Sequence, residues 1–242
     1  MTLLQAIILG IVQGITEFLP ISSSGHLIIA ETLLKLDTST LKDFDIALHV
    51  GTLLAILITF RRDLFNFKWW PMLILGSVPA VLVGFLFEDS IDALFRNGIS
   101  VTLIMIGVGL LFFIPQRKNS NPLTPLRTFL IGCAQAVAII PGVSRSGATI
   151  FTAMQLGMNR EEAARFSFLL GAIAIAGAGL LKALDVEAFT VGVSVLTAGF
   201  LSAFISGLLA AHFLLRFLKK HGLQVFGVYR VIVGLLFLWI LF

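Results

Sequence analysis

Glu17, Ser23, His26 and Arg145 are the residues whose types and surroundings could perform chemistry in this chain. Glu17 offers a carboxylate able to act as base or metal ligand, Ser23 a hydroxyl nucleophile, and His26 a base, acid or nucleophile. Arg145 presents a planar fork of donors that matches phosphate oxygens. Ser22, Ser24 and Gly25 flank the first group, while Ser144, Ser146, Gly147 and Thr149 flank Arg145. Hydroxyls, glycine-permitted backbone approach and the free N–H groups of a helix start make a cradle for an anion. Phosphoryl transfer needs these parts: neutralising donors, a nucleophile and often a divalent ion. Gln13 and Glu17 lie four residues apart, on one face of a helix; Ser23 and His26, three apart, are neighbours if a helix begins near Ser22.

Two stretches must bring these residues together, and they are copies of each other. Gly10, Gln13, Ser22, Ser24 and Gly25 recur as Gly132, Gln135, Ser144, Ser146 and Gly147 at a constant offset of 122 residues, and Phe44 and Phe166 keep the register. The chain therefore reads as repeats covering approximately 1–115 and 123–242, separated by the polar stretch Gln116–Leu126. Residues 2–34 and 127–158 are each apolar, broken at Pro20 or Pro141-Gly142, serine-rich, then apolar again. Proline removes a backbone N–H and glycine permits a reversal, so each stretch is expected to form a re-entrant hairpin of two half-helices. Irregular backbone at membrane depth survives where it is buried in protein or lines a wet cavity, and paired interruptions point to a site between the repeats.

Composition supplies the membrane. Apolar residues make up 58% of the chain and charged residues 12%, against about 25% charged in a soluble domain, and the mean hydropathy is +1.03. The runs 44–60, 71–87, 99–115, 166–182, 189–215 and 224–242 read as spans. The expected fold is a single integral membrane domain over 1–242, all-α and polytopic, with an inverted-topology repeat of six transmembrane helices plus two re-entrant hairpins, ten helices in all. Arg61, Arg62, Lys68, Arg117, Lys118, Arg127, Arg160, Arg165, Arg216, Lys219 and Lys220 fall on one face, which should be cytoplasmic. The opposite face holds Lys35, Lys42, Arg96 and Lys182, diluted by Asp89, Asp92, Asp185 and Glu187. Both termini then lie outside, and three spans per half invert one repeat relative to the other. No basic n-region precedes the first apolar run and Glu17 interrupts it, so that segment is expected to stay in the mature protein. A net charge of +4 confined to loops gives no support to nucleic-acid binding. The single cysteine, Cys133, excludes an internal disulfide and a cysteine metal cage.

Gln13-Gly-Ile-Thr-Glu17-Phe-Leu-Pro-Ile-Ser-Ser-Ser-Gly-His26 and Pro141-Gly-Val-Ser-Arg-Ser-Gly-Ala-Thr149 closely resemble the two signatures of the bacterial undecaprenyl-diphosphate phosphatases, the bacitracin-resistance family. The likeness extends to the Phe44–Gly51 stretch and to Tyr229-Arg230. It implies hydrolysis of a C55 polyprenyl diphosphate to the monophosphate, at the outer face of the cytoplasmic membrane, with a divalent cation (Mg²⁺ first, Ca²⁺ second). It also implies recycling of the cell-wall lipid carrier, with bacitracin competing by binding that lipid; a homodimer is compatible with the sequence. By position, Glu17 matches an essential glutamate and metal ligand, Ser23 the candidate nucleophile and His26 the motif histidine. Ser144, Arg145, Ser146 and Thr149 match the diphosphate-binding motif, which Gln13, Ser22, Ser24, Gly25 and Gly147 extend as substrate contacts. Gln13 departs from the family's Glu-x-x-x-Glu pair, leaving Glu17 as the main carboxylate, with substrate oxygens and water able to complete a Mg²⁺ shell.

The nucleophile stays open between Ser23, His26 and water, with Ser23 beside His26 the favoured pairing. A polyprenyl-phosphate flippase would use the same cradle, but it has no evident use for Glu17, Ser23 and His26 together. The acid-phosphatase-like lipid phosphatases share the Ser-Gly-His and Ser-Arg fragments but carry a later histidine and aspartate that are missing here. Arg230 lies about 12 Å along its helix from Gly222, deep enough to need a buried partner, and is read as half of a structural ion pair. His49 reads equally as pocket lining or helix packing, His212 as structural, Trp69 and Trp70 as an interfacial anchor, and Glu161 and Glu162 as loop charges.

Overall fold

The computed structural model describes residues 1–36, 41–95, 97–116, 122–184 and 191–241. Arg96, Arg117, Lys118, Asp185 and Glu187, used in the charge reading, lie outside the described residues, as do the side chains of Lys42 and Lys182. Eleven helices are described: α1 (Leu3–Phe18), α2 (Ser23–Leu33), α3 (Lys42–Thr59), the single turn α4 (Arg61–Leu64), α5 (Trp70–Phe95), α6 (Gly98–Leu111), α7 (Pro125–Val137), α8 (Arg145–Gln155), α9 (Arg160–Leu184), α10 (Val193–Leu218) and α11 (Gln224–Leu241). The protein is all-helical and polytopic. Helices over Trp70–Phe95, Arg160–Leu181, Val193–Leu218 and Gln224–Leu241 are long and apolar enough to cross a bilayer. The runs expected at 44–60 and 99–115 form shorter apolar helices, Phe44–Thr59 and Gly98–Leu111. Asn97 caps the start of α6 and Phe112 its end; Pro115 then disfavours helix in the residue before it. Fourteen residues rise only about 21 Å, less than the roughly 30 Å hydrocarbon core.

The two hairpins are built to one plan. Thr2 caps α1, Thr124 caps α7, and Pro125 occupies the first turn of α7. α2 and α8 begin and end 122 residues apart, and both have a serine at their N-cap in the left-handed region, Ser22 and Ser144, each with φ 76°. Each serine Oγ accepts the N–H of the glycine three residues on, Gly25 at 3.3 Å and Gly147 at 3.2 Å. A left-handed serine is strained, and this capping bond offsets part of the cost. The C-terminal ends agree too: Lys35 (φ 54°) and Gly157 (φ 92°) follow the caps Leu34 and Leu156.

The halves exchange partners. α1 packs along α10, whereas α7, its counterpart, packs along α5, the counterpart of α10. Small residues set the closeness of these contacts. A Cβ on Gly10 would lie 2.7 Å from Ser202 Cβ, and one on Gly132 would collide with the Gly76 backbone. Such stripes let helix backbones approach where lipid offers no hydrophobic drive. α3 packs between α10 and α9, and α6 pairs with α11. The larger core gathers Phe18, Phe60, Phe112, Phe166 and Phe168 around the two hairpin tips. At one end of the bundle Arg165 binds Asp63 (3.2 Å) and Glu161 (3.1 Å), and Lys219 binds Glu161 (3.3 Å), so Glu161 ties α9 to α10. The Glu162 backbone N–H donates to Asn159 Oδ1 at the start of α9. His212 is exposed and donates along its own helix to Leu208, while Trp69 stacks at a tilt on Phe166.

Gly14→Val is expected to lower the melting temperature in detergent by several degrees, an overpacking cost of about 1–3 kcal/mol. A Cβ there would strike the Ser206 hydroxyl and lie 2.7 Å from the Gly207 nitrogen. Gly107→Ala, whose Cβ meets open space, should leave the melting temperature unchanged or raised.

Candidate active site

The two hairpin tips meet at an ion pair. Arg145, the first residue of α8, donates from Nη2 to Glu17 Oε1 at 2.7 Å, and the side chains are 15% and 7% exposed. The other oxygen of Glu17 accepts Ser23 Oγ–H at 2.7 Å and Gln13 Nε2–H at 3.2 Å. Four of the residues singled out by their chemistry, Gln13, Glu17, Ser23 and Arg145, thus share one carboxylate. His49 stands on α3, which packs against α1. Its Nδ1–H is spent on the Asp45 carbonyl at 2.8 Å, which fixes the ring's orientation. Arg145 is pressed into place by α9, since a Cβ on Gly171 would collide with the guanidinium.

The serines hold the hairpins together. Ser24 Oγ accepts the Gly142 N–H at 3.3 Å, and Ser146 Oγ–H donates to the Leu19 carbonyl at 3.2 Å. Ser24 and Ser146 are counterparts, so each hairpin uses the same residue to grip the break of the other. Thr149 turns away from Glu17: its hydroxyl bonds the Arg145 carbonyl (2.8 Å) and Ser167 (2.6 Å), anchoring the first turn of α8 to α9.

His26 is placed differently from the spacing argument. Its Nδ1 is 2.8 Å from the Ser22 carbonyl, which only accepts, so Nδ1 carries hydrogen. In the neutral ring Nε2 then accepts the Tyr229 O–H, 2.9 Å away, and the two rings stack at 5.6 Å. Ser23 therefore bonds Glu17 and not His26, and the Ser–His contact favoured from spacing is replaced by a Ser–Glu contact. The reason is topological: Ser23 sits in the first turn of α2, facing back over the break to α1, while His26 faces α11.

Two residues of α11 join the site that the sequence left at its margin. Tyr229 is the chain's only tyrosine, and its place beside a buried arginine was the one available signal. Arg230 is fully buried but makes no ion pair among the described residues. Its Nε, Nη1 and Nη2 donate to the carbonyls of Met105 (3.0 Å), Pro20 (3.4 Å) and Gly142 (2.6 Å). Pro20 and Gly142 are the two hairpin breaks, so Arg230 clamps both, with the Phe112 ring beneath its guanidinium at 5.6 Å. The expected carboxylate is unnecessary because helix-breaking residues leave carbonyls without intrahelical donors. A five-donor guanidinium meets that need.

A hydroxyl on a carboxylate, opposite a guanidinium with Nη1 still unpaired among the described residues, suits attack on phosphorus with neutralisation of its oxygens. Among the described residues no group of three or more histidine, cysteine or acidic side chains gathers to hold a metal. Gln13 Oε1 is, however, a buried oxygen without a partner beside Glu17, the donor type that hard cations accept.

Fold and site together define a polytopic membrane protein whose two broken hairpins enclose a buried carboxylate–guanidinium pair with a serine hydroxyl on the carboxylate. The profile of the family described as Bacitracin resistance protein BacA matches residues 6–236. A protein of Pelobacter propionicus named undecaprenyl-diphosphatase is 42% identical over 261 residues, covering 97% of this chain and 95% of that one. Proteins of the same name from Rubrobacter xylanophilus (40% identical, 94% of each chain) and Methanosphaera stadtmanae (36%, 97% of this chain and 96% of that one) are similar. The chain belongs to the BacA family.

Arg230→Met should unfold at markedly lower temperature, because the buried Pro20 and Gly142 carbonyls at the two breaks lose their donor at about 1–3 kcal/mol each. Arg230→Lys, keeping charge and one donor direction, should recover part of the loss. Thermal unfolding in detergent measures both.

Proposed function

We propose that this protein hydrolyses undecaprenyl diphosphate to undecaprenyl phosphate and inorganic phosphate. The observation that carries the reading is the 2.7 Å bond from Ser23 Oγ–H to Glu17, opposite the 2.7 Å pair of Glu17 with Arg145. The names of the BacA relatives support the same substrate. The terminal phosphoryl group sits on the Arg145 guanidinium and the first-turn N–H groups of α8. Ser23 Oγ attacks phosphorus as Glu17 takes the hydroxyl proton, and the bond to the bridging oxygen breaks. Undecaprenyl phosphate leaves with its charge spread over its oxygens. Water then attacks the phosphoserine phosphorus and the P–Oγ bond breaks as Glu17 returns its proton to Ser23 Oγ, so that phosphate departs as H2PO4− carrying both water hydrogens. His26 and Tyr229 border the site without touching Ser23.

Gln13 Oε1 and Glu17 would hold a divalent cation, with Mg²⁺ the first choice, and it would neutralise phosphate charge when bound. The protein is a multi-pass membrane protein; the cytoplasmic membrane and a site opening to the outer face are the placement that the distribution of basic residues favours. There it would return carrier lipid to cell-wall synthesis and compete with bacitracin for the diphosphate. A carrier that merely moves polyprenyl phosphate would need Arg145 but not the Ser23–Glu17 pair.

Purified protein given C55 diphosphate with Mg²⁺ should release phosphate, and EDTA should stop it. Glu17→Ala, Ser23→Ala and Arg145→Ala should each lower turnover by about 10³-fold or more, with Ser23→Ala keeping wild-type lipid affinity. No release from folded wild type, with Arg145-dependent lipid binding retained, would leave the carrier reading in its place.

A further inference from the structure

Gln135 has the wrong surroundings for a packing residue. It is 3% exposed, and among the described residues neither its Nε2 nor its Oε1 has a hydrogen-bond partner. A buried amide left unpaired is costly in protein and more so at membrane depth. Among the described residues Thr59, at the end of α3, and Gln116, in the loop after α6, are also unpaired but only half-buried. Arg145 Nη1 and Gln13 Oε1, both on residues bonded to Glu17, are also without a partner among the described residues.

The repeat gives Gln135 its place. Gln13 and Ser23 both bond Glu17, Gln13 from α1 and Ser23 from the start of α2. At the constant offset of 122 residues, Gln13 becomes Gln135 on α7 and Ser23 becomes Arg145 at the start of α8. Gln135 therefore stands to Arg145 as Gln13 stands to Ser23. The counterpart of Glu17 is Ile139, so the carboxylate that engages Gln13 has no equivalent beside Gln135. An amide N–H and a guanidinium N–H without acceptors on one side of the site call for an anionic oxygen.

We propose that Gln135 is a substrate-binding residue whose Nε2–H donates to a phosphoryl oxygen held by Arg145. The inference rests on the diphosphate reading above and names a contact that the two sequence signatures do not contain.

Gln135→Met keeps the side chain's length and removes its polar atoms. Replacing an unpaired buried amide with an apolar group is neutral or stabilising, so the melting temperature in detergent should hold or rise. KM for C55 diphosphate should nevertheless rise about tenfold or more, the size of one lost hydrogen bond to a charged group, with kcat changed less. Inorganic pyrophosphate, used as a lipid-free probe, should raise the melting temperature of wild type and fail to raise that of Gln135→Met at the same concentration. A fall of several degrees in the variant's melting temperature would show Gln135 to be a structural partner and overturn the proposal. An unchanged KM and pyrophosphate response would overturn it as well, leaving a buried amide that serves no ligand. Wild type that hydrolyses nothing but shows a pyrophosphate shift dependent on Gln135 would remove the phosphatase reading and uphold this one.

Discussion

The contact between Glu17 and Arg145 is the constraint around which the other elements are arranged. Each charge alone would be expensive inside a membrane, about 2.5–3.5 kcal/mol on insertion scales. Their attraction offsets that only with close geometry and with the remaining donors and acceptors engaged. Ser23 and Gln13 take the second carboxylate oxygen, and α9 presses the guanidinium forward at Gly171. The pair joins residues 128 apart in sequence, so it exists only when both hairpins are seated. Assembly of the repeats and assembly of the chemistry are thus one event.

Holding two interrupted helices at membrane depth creates its own problem, because each break leaves backbone groups that lipid cannot satisfy. The solution is reciprocal. Ser24 takes the Gly142 N–H, Ser146 donates to the Leu19 carbonyl, and Arg230 reaches from α11 to the Pro20 and Gly142 carbonyls. These bonds cross between the hairpins or come from α11 outside them, so neither hairpin can satisfy its break alone. The strained φ of 76° at Ser22 and Ser144 is tolerated because each hydroxyl caps its own helix start. Serine here does two jobs at once, capping its own helix start and tying one hairpin to the other.

Close helix approach at glycine keeps that arrangement rigid. Gly10 and Gly14 bring α1 against α10, and Gly132 brings α7 against α5. Each hairpin's first helix is thereby fixed by a long helix of the opposite half. This positions Gln13 and Glu17 on the inward side of α1, while Ile11 and Ile15 on the other side stay exposed to lipid.

The sequence by itself determined the membrane class, the helices, both hairpin breaks and the cluster of Gln13, Glu17, Ser23 and Arg145. These follow from composition, from proline and glycine punctuation, and from an offset that repeats a rare polar pattern in an apolar chain. Local signals of this kind act within a few residues of where they are read. The partner of Ser23, the setting of His26 against Tyr229 and the carbonyl clamp of Arg230 were decided by tertiary structure. Each depends on which face of one helix meets another across the bundle. Spacing along one helix gives only neighbours on that helix, so Ser23 and His26 looked like a pair until α1 and α11 claimed them separately. A buried arginine suggests a carboxylate by charge alone; only the path of the chain shows that the carbonyls of the two hairpin breaks, with that of Met105, take its donors instead.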